Sequence, residues 1–478
     1  MKSFPQLSPE NLEDLKVKAQ QWSLANGLVM YPPDFQTFNV SNAPITLFPT
    51  PIPKTAFEQA QSIQKTYNEL YSKIVGDKKW LIDEIKQLSQ FDPEFTGKLF
   101  EIYNKVNEQG NFQSLSLGIF RSDYMLHDGK DIKQIEFNTV SVSFGGLSPK
   151  INELHTYLND SGSYDNDYSY QYYDTEEIPV SSSIKKIAEG ISKGNYYYND
   201  ESDNAKTVIL FIVQPNERNS FDQRHIEYEL LKTHKLKSYR LTLEEIIENT
   251  TINGDKLYIK KTMDEVSVVY YRSGYGPGDY PNENCWDARF QLENNKAIKC
   301  PSIITQLSGT KKIQQILTEK SNLSKYMDQE TVEEISKTFV KIYPMDDSPE
   351  GQIAKKLAFE QPENFVLKPQ REGGGNNIYK EDIPGFLKTL DEKNWEAYIL
   401  MELINPPVHK NTIIRNNDIF NNDIISELGI FGSIVFDETN GDIKYNEYSG
   451  WLLRSKLATS NEGGVAAGFG CVDGIYLY

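Results

Sequence analysis

An α/β (α+β) chain of two or three domains is what the sequence predicts, and three observations predict it. Its 478 residues exceed the roughly 250 to 300 at which a single hydrophobic core stops growing. Amphipathic helical periodicity runs to about Gly110 and then gives way to two long alternating strand patterns. From Lys206 to about Ser308 strand and helix patterns alternate, as in a parallel sheet with helices on both faces, so this stretch reads as a self-contained subdomain inserted in the chain.

The elements follow in order. Ser8 as N-cap and Pro9 at the first helical position open a helix over ENLEDLKVKAQQWSLA. The proline-rich stretch YPPDFQTFNVSNAPITLFPTPIPK reads as irregular. Amphipathic patterns resume in TAFEQAQSIQKTYNELYSKIV, WLIDEIKQLSQF and PEFTGKLFEIYNKVNEQ. SLSLGIFRSDYML and IKQIEFNTVSVSF, joined at HDGKD, form a long hairpin. A helix begins near SPKINELHTYL, and the acidic, tyrosine-rich NDSGSYDNDYSYQYYDTEEIP reads as an exposed loop. The inserted stretch then predicts strand TVILFIV, helix FDQRHIEYELLKTH, strand KSYRLTL, a hairpin through INGDKLYI, strand VSVVYYRSG, helix WDARFQLENNKAI and the strand-like CPSIITQL. Beyond Gly309, helices mix with strands NFVLKP, EAYILMELI and DIISELGIFGSIVFD, and a glycine-rich segment closes the sequence.

Charge and composition exclude some partners. With 50 Lys and Arg against 68 Asp and Glu, the formal charge is −18, which argues against nucleic acid or an anionic membrane, since both demand a basic footprint. An anionic substrate therefore needs local Lys and Arg. The 3 cysteines form no CxxC pattern, which suits a reducing compartment. The start of the sequence has no apolar leader core and no apolar run approaches a membrane span, so the expectation is a cytoplasmic protein. None of the 5 histidines has an i, i+4 partner, which speaks against a zinc site.

Four stretches carry chemistry. KPQREGGGNN, from Lys368 to Asn377, follows a strand and lets bare backbone approach a phosphate, although three glycines also make an ordinary turn. It matches neither GxxxxGK[ST] nor GxGxxG. In QIEFNTVSVSF, Glu136 and Asn138 leave one face of a strand. With Glu372 they offer oxygens suited to Mg²⁺, which takes one or two carboxylates and shares phosphate oxygens; an exposed strand face is the alternative. Arg121 lies on the neighbouring hairpin arm. YYRSGYGPGDY places Arg272 at a strand end before a glycine-rich loop, and LLRSKLATSNEGGVAAGFG combines Arg454, Lys456 and Glu462 with another. Such loops close over a substrate or serve as plain turns.

RSDYM, IEFNTVSVSFGGL, ERNSFDQR, YYRSGYGPGDY, CPSIITQLSGTKK, FVLKPQREGGGNNIY, ISELGIFG and LLRSKLATSNEGGVAAG occur in one order between about Leu115 and Gly468. Together they resemble the eukaryotic type of glutathione synthetase. The resemblance implies an ATP-grasp ligase that joins γ-glutamylcysteine to glycine through an acyl phosphate, with Mg²⁺ as cofactor and ATP as co-substrate. It implies an ATP-grasp body from residues 1–205 and 309–478, with a lid at about 360–400 and a substrate loop at about 454–468, around an inserted substrate-binding domain at 206–308.

The resemblance also assigns residues. Lys311 and Lys368 touch the ATP phosphates, and Gln370, Glu372, Gly373, Gly374, Gly375, Asn376 and Asn377 cover them beside Tyr379. Met401, Glu402, Leu403 and Ile404 line the adenine pocket, Glu427 meets the ribose, and Lys456 and Glu462 contact the nucleotide. Glu136, Asn138 and Glu372 are the metal ligands, and Arg121 is the cation beside the reacting carboxylate. Ser141, Ser143, Glu217, Arg218, Asn219 and Gln223 hold γ-glutamylcysteine, as do Arg272, Ser273, Gly274 and Tyr275. Arg454 takes a substrate carboxylate, and Val465 with Ala466 closes over glycine. The catalytic set is Arg121, Lys311, Lys368 and Arg454, and the assembly is a homodimer.

Two departures stand out. Glu462 stands where the family commonly has aspartate, and the loop YGPGDY is richer in glycine and less basic than the family's. Small residues from Val465 to Ala467 favour glycine over β-alanine as acceptor. A homoglutathione-type ligase and an inactive nucleotide-binding protein are the alternatives.

Overall fold

The computed structural model describes residues 2–110, 113–201, 206–370, 376–415, 417–461, 464–465 and 470–478. Ser8 caps the helix Pro9–Asn26, its Oγ accepting from the Asn11 N–H at 3.2 Å, and Gly27 ends it in the left-handed conformation. The helix Lys54–Gly76 buries Phe57, Ile63, Tyr67, Leu70 and Ile74, an i, i+3/i+4 stripe that covers the central sheet.

Among the described residues that sheet has 13 strands. Its axis is the strand Leu115–His127 (β1), which turns back into Asp131–Asn138 (β2). On its other edge β1 pairs antiparallel with the strand Asp418–Asp437 (β3), and β3 pairs antiparallel with Ile443–Leu457 (β4). The edge facing β2 is shared: Ser116, near the start of β1, pairs in parallel with Lys299 of the strand Ile298–Cys300, while Arg121 to His127 pair with β2. Beyond Ile298–Cys300 come Asp264–Tyr271, Thr207–Ile212 and Ser238–Leu241, all parallel. Ligands of open parallel sheets bind outside the carboxyl ends of the strands, where the order switches. Arg272 directly follows Asp264–Tyr271, and Gln214 and Glu217 follow Thr207–Ile212, so the sheet aims these side chains at such a switch.

A second sheet of four antiparallel strands, Ile342–Pro344, Tyr398–Glu402, Phe365–Pro369 and Ile378–Tyr379, packs its own core of Tyr343, Ala354, Phe365, Leu367, Ile383 and Leu400. It carries Lys368 and Tyr379.

Four expectations change. The inserted stretch has no sheet of its own, because its parallel strands continue the body's sheet through Ile298–Cys300. CPSIITQL is mostly helical: Ser302 caps Ile303–Ser308 by accepting from the Thr305 N–H, a capping signal that outweighs the β-branched residues after it. β2 stops at Asn138, and the chain leaves the strand with positive φ at Ser141 and Phe144. The tyrosine-rich segment is only partly exposed. Tyr164 and Tyr173 are buried, and Tyr164 donates its hydroxyl to the Leu47 carbonyl at 2.8 Å.

Candidate active site

Four neighbouring strands build the floor of a cleft of about 1480 Å³, including space open to solvent. Arg121 and Asp123 lie two apart on β1 and so share a face; in register they face Asn138 and Glu136 of β2, and Phe431 and Gly429 of β3. One step further, Glu427 of β3 faces Arg454 of β4. Arg121 grips Asp123 with both edges of the pair satisfied, Nε to Oδ1 at 2.6 Å and Nη2 to Oδ2 at 2.7 Å. Arg454 donates to Glu427 from Nε and Nη2, and Nη2 also reaches Asp123 Oδ2 at 3.2 Å. Gly429 leaves the space that the Arg121–Asp123 pair occupies, since a Cβ there would lie 2.9 Å from both Arg121 Cδ and Asp123 Oδ1. Burial pushes the Asp123 carboxyl up to about 6, against the opposing pull of Arg121 and Arg454.

Two lysines face the same floor. Lys311 pairs with Glu136 Oε2 at 3.3 Å, and Lys368 donates to the Ile135 carbonyl at 3.2 Å. Burial, with Lys311 nearby, lowers Lys368 to about 8. Burial alone would raise the Glu136 carboxyl, but Lys311, Lys368, Arg454 and Arg121 outweigh it and hold the group well below the usual carboxylate range. Asn138 spends its amide nitrogen on Asp123 Oδ2 at 3.0 Å, which leaves its oxygen as the group offered to the cleft. A carboxylate and an amide oxygen fit a hard cation that keeps waters and phosphate oxygens as its other ligands. Among the described residues there is no cluster of three His, Cys, Asp or Glu able to hold a metal, and Glu372 lies outside the described residues.

Another buried cation, Arg272, lies in the same cleft and is 4% exposed. Its Nη1 is 3.6 Å from Asp222 Oδ2, yet among the described residues neither Nε nor Nη1 makes a hydrogen bond. Buried donors left without hydrogen-bond partners cost about 1–3 kcal/mol, more when charged, which makes this guanidinium a candidate anion-binding group. Asp222 holds the loop after β2 from beneath, accepting from the N–H groups of Phe144 at 2.8 Å, Gly146 at 2.6 Å and Leu147 at 3.1 Å. Gly146 cannot carry a side chain, because a Cβ would sit 2.0 Å from the Asp222 carbonyl. Asp279 holds the loop after Arg272 in the same way. Its Oδ2 accepts from Gly274, Tyr275 and Gly276 at 3.0, 3.1 and 3.2 Å, and Oδ1 takes Gln214 Nε2 at 2.8 Å.

Most of the expected residues that lie among the described ones converge. Arg121, Glu136, Asn138, Ser141, Ser143, Glu217, Asn219, Arg272, Tyr275, Lys368, Asn377, Tyr379, Glu427, Arg454 and Lys456 all line the cleft, and Lys311 reaches it through Glu136. Met401 and Leu403 pack with Val366 and Tyr379 beside it, but the Glu402 and Leu403 N–H groups are spent on the Lys341 and Asn364 carbonyls. Lys456 and Tyr379 both donate to the Asn461 carbonyl, which ties the second sheet to the loop after β4.

Several residues sit elsewhere. Gln370 faces away, buried among Leu88, Phe91, Ala397 and Tyr398, because the strand ends at Pro369 and the chain bends there, its Nε2 donating to the Tyr398 carbonyl at 3.4 Å. Gln223 accepts from Arg240 and donates to Glu217, and Arg218 donates to the Tyr31 carbonyl; both brace the site from outside. Ser273 and Gly274 support the loop, the Gly274 carbonyl accepting from Tyr280 and Gln306. Val465 is buried in the main core, Asn376 is exposed, and Glu402 accepts from the Lys341 N–H. Glu427 has its carboxylate taken up by Arg454. Gly373, Gly374, Gly375, Glu462 and Ala466 lie outside the described residues.

A model of the eukaryotic glutathione synthase ATP-binding domain matches residues 9–477. The chain belongs to the eukaryotic glutathione synthase family. It is 42% identical to the glutathione synthetase large chain of Schizosaccharomyces pombe, over 98% of each chain. It is 38% identical to the glutathione synthetase of Rattus norvegicus, over 98% of this chain and 97% of the rat one. Its fold matches the apo form of a glutathione synthetase-like effector, GSS30, from Globodera pallida, with a TM-score of 0.77 over 100% of both chains at 26% identity. Membership accounts for the mixed α/β architecture. Asp123, Asp222 and Asp279 are what the motif reading passed over. Asp123 stood in RSDYM two residues from Arg121, so strand alternation alone would have found it.

Proposed function

We propose that the protein is an ATP-dependent ligase that joins γ-glutamylcysteine to glycine, yielding glutathione, ADP and phosphate. The observation that supports this most is one cleft with two separate cationic ends: Lys311 and Lys368 at one, and at the other the buried Arg272, whose Nε and Nη1 make no hydrogen bond among the described residues. A triphosphate and the carboxylates of a small peptide need that spacing of charge within an acidic protein.

In this reading Arg272, with Glu217 and Asn219, seats the γ-glutamyl end, and Arg121 faces the cysteinyl carboxylate. One carboxylate oxygen bonds to the γ-phosphorus of ATP while the bond to the bridging oxygen of ADP breaks. The glycine amine, freed of a proton, then bonds to the acyl carbon, and phosphate leaves with its electron pair. Arg121, Lys311, Lys368 and Arg454 neutralise the negative charge that moves between these oxygens, and no covalent enzyme intermediate is needed. Glu136 and Asn138, with Glu372, would hold Mg²⁺, whose chemistry is to offset phosphate charge.

A homodimer in a cytoplasmic setting belongs to the same reading. Its support is the family resemblance, three buried free cysteines, and no helix of the described residues long and apolar enough to cross a membrane. The test mixes purified protein with ATP, Mg²⁺ and γ-glutamylcysteine, with glycine, β-alanine or serine as acceptor. Glutathione formed fastest with glycine supports the proposal; preference for β-alanine makes the protein a homoglutathione-type ligase, and ADP release that ignores every acceptor defeats both.

A further inference from the structure

We infer that Asp123 is the positioning residue that turns Arg121 and Arg454 into a single clamp on the reacting groups; this rests on the ligase reading above. Three donors from three strands meet on this one carboxylate. Arg121 of β1 binds both of its oxygens, at 2.6 and 2.7 Å, Asn138 of β2 reaches Oδ2 at 3.0 Å, and Arg454 of β4 reaches the same Oδ2 at 3.2 Å. Asp123 is 1% exposed, so it cannot itself reach a substrate in the cleft. Its work is done through the residues it holds.

The consequence lies in which donors remain. Arg121 spends Nε and one Nη2 hydrogen on Asp123, and Nη1 on the Ser143 carbonyl at 3.3 Å. Arg454 spends Nε and Nη2 on Glu427 and Asp123, and its Nη1 makes no hydrogen bond among the described residues. Each guanidinium is thus locked along its Nε–Nη2 edge, which leaves Arg454 its Nη1 and Arg121 only the hydrogens not given to Asp123 and Ser143. Two cations would repel one another so close together; the shared carboxylate between them removes that repulsion and fixes their mutual angle, as bidentate pairs do. Asn138 is oriented by the same oxygen, so the metal-facing amide and both arginines have one common support. Gly429 leaves the space that the Arg121–Asp123 pair occupies over β3.

The test compares steady-state kinetics of the wild type with Asp123→Asn, which keeps the shape and removes the charge. Misplacement of reacting groups by about 1 Å costs on the order of 100-fold, so kcat should fall about 100-fold while KM for ATP stays within about threefold. In an Arg121→Lys background, where the bidentate grip is already gone, the same change should cost less than about tenfold, as coupled residues do. A kcat within about threefold of wild type, or the same loss in both backgrounds, overturns the inference. Gly429→Ala covers the case of a misfolded Asp123→Asn: it leaves the charge in place and displaces the pair, so kcat should drop about tenfold or more, and an unchanged kcat overturns the inference too. If the wild type forms no glutathione, the ligase reading falls and takes this one with it; normal wild-type turnover with an unimpaired Asp123→Asn variant overturns the clamp alone.

Discussion

Replacing Lys368 with methionine should make the protein more stable and unable to hold ATP. The side chain is 5% exposed, and burial and the neighbouring Lys311 depress it from an ordinary 10.5 to about 8. At about 1.4 kcal/mol per pH unit, keeping this lysine charged costs the folded protein about 3 kcal/mol. The sign follows from linkage. Because the folded value lies below the unfolded one, the cost is full below pH 8 and fades as pH rises toward 10.5, where the unfolded chain loses its proton as well. Methionine fills similar volume without charge and gives up one hydrogen bond, to the Ile135 carbonyl, worth about 1 kcal/mol. A net gain of about 2 kcal/mol at pH 7 remains. Urea unfolding of Lys368→Met and wild type at pH 7 and 9.5 should show the variant ahead at pH 7 and the gap narrowing at 9.5. ATP should raise the melting temperature of the wild type only. A variant less stable at pH 7, a gap independent of pH, or equal protection by ATP refutes the reasoning.

Three more perturbations follow from the geometry. Arg272→Ala should raise KM for γ-glutamylcysteine by on the order of 100-fold and leave KM for ATP unchanged, since a buried charge that pairs with an anion is worth about 2–5 kcal/mol when truncated; an equal rise for both substrates would place Arg272 elsewhere in the reaction. Asp279→Ala removes the acceptor of three loop N–H groups and should raise the same KM about tenfold with kcat nearly kept, whereas wild-type kinetics would mean that the loop holds its shape unaided. Glu136→Gln should shift the Mg²⁺ concentration for half-maximal rate upward by about tenfold or more, measured by titrating the metal at saturating ATP; an unshifted curve removes Glu136 from the metal site.

The parts of the fold that repeat a local rule were readable from the chain. Ser8 caps where an N-cap should, and Arg121 meets Asn138 across the hairpin because strand alternation and the HDGKD turn set the register. The sharing of one sheet between the inserted strands and the body was not readable. It rests on the single parallel pair Ser116 and Lys299, 183 residues apart in sequence, and no local pattern encodes such a long-range choice. Gln370 shows the limit of motif transfer. It stands inside the glycine-rich motif, yet the strand ends at Pro369 and the bend at Gln370 turns the side chain into the protein. Asp222 and Asp279 were invisible for the opposite reason: they act on backbone N–H groups of sequence-distant or tightly turned segments, and a motif records the residue type without what it holds.

The route of one oxygen atom tests the account most directly. γ-Glutamylcysteine labelled with ¹⁸O in its cysteinyl carboxylate should turn over with ATP, Mg²⁺ and glycine to release phosphate bearing one labelled oxygen, because that oxygen attacks the γ-phosphorus and leaves with it. Glutathione formed with unlabelled phosphate would contradict an acyl phosphate in this cleft.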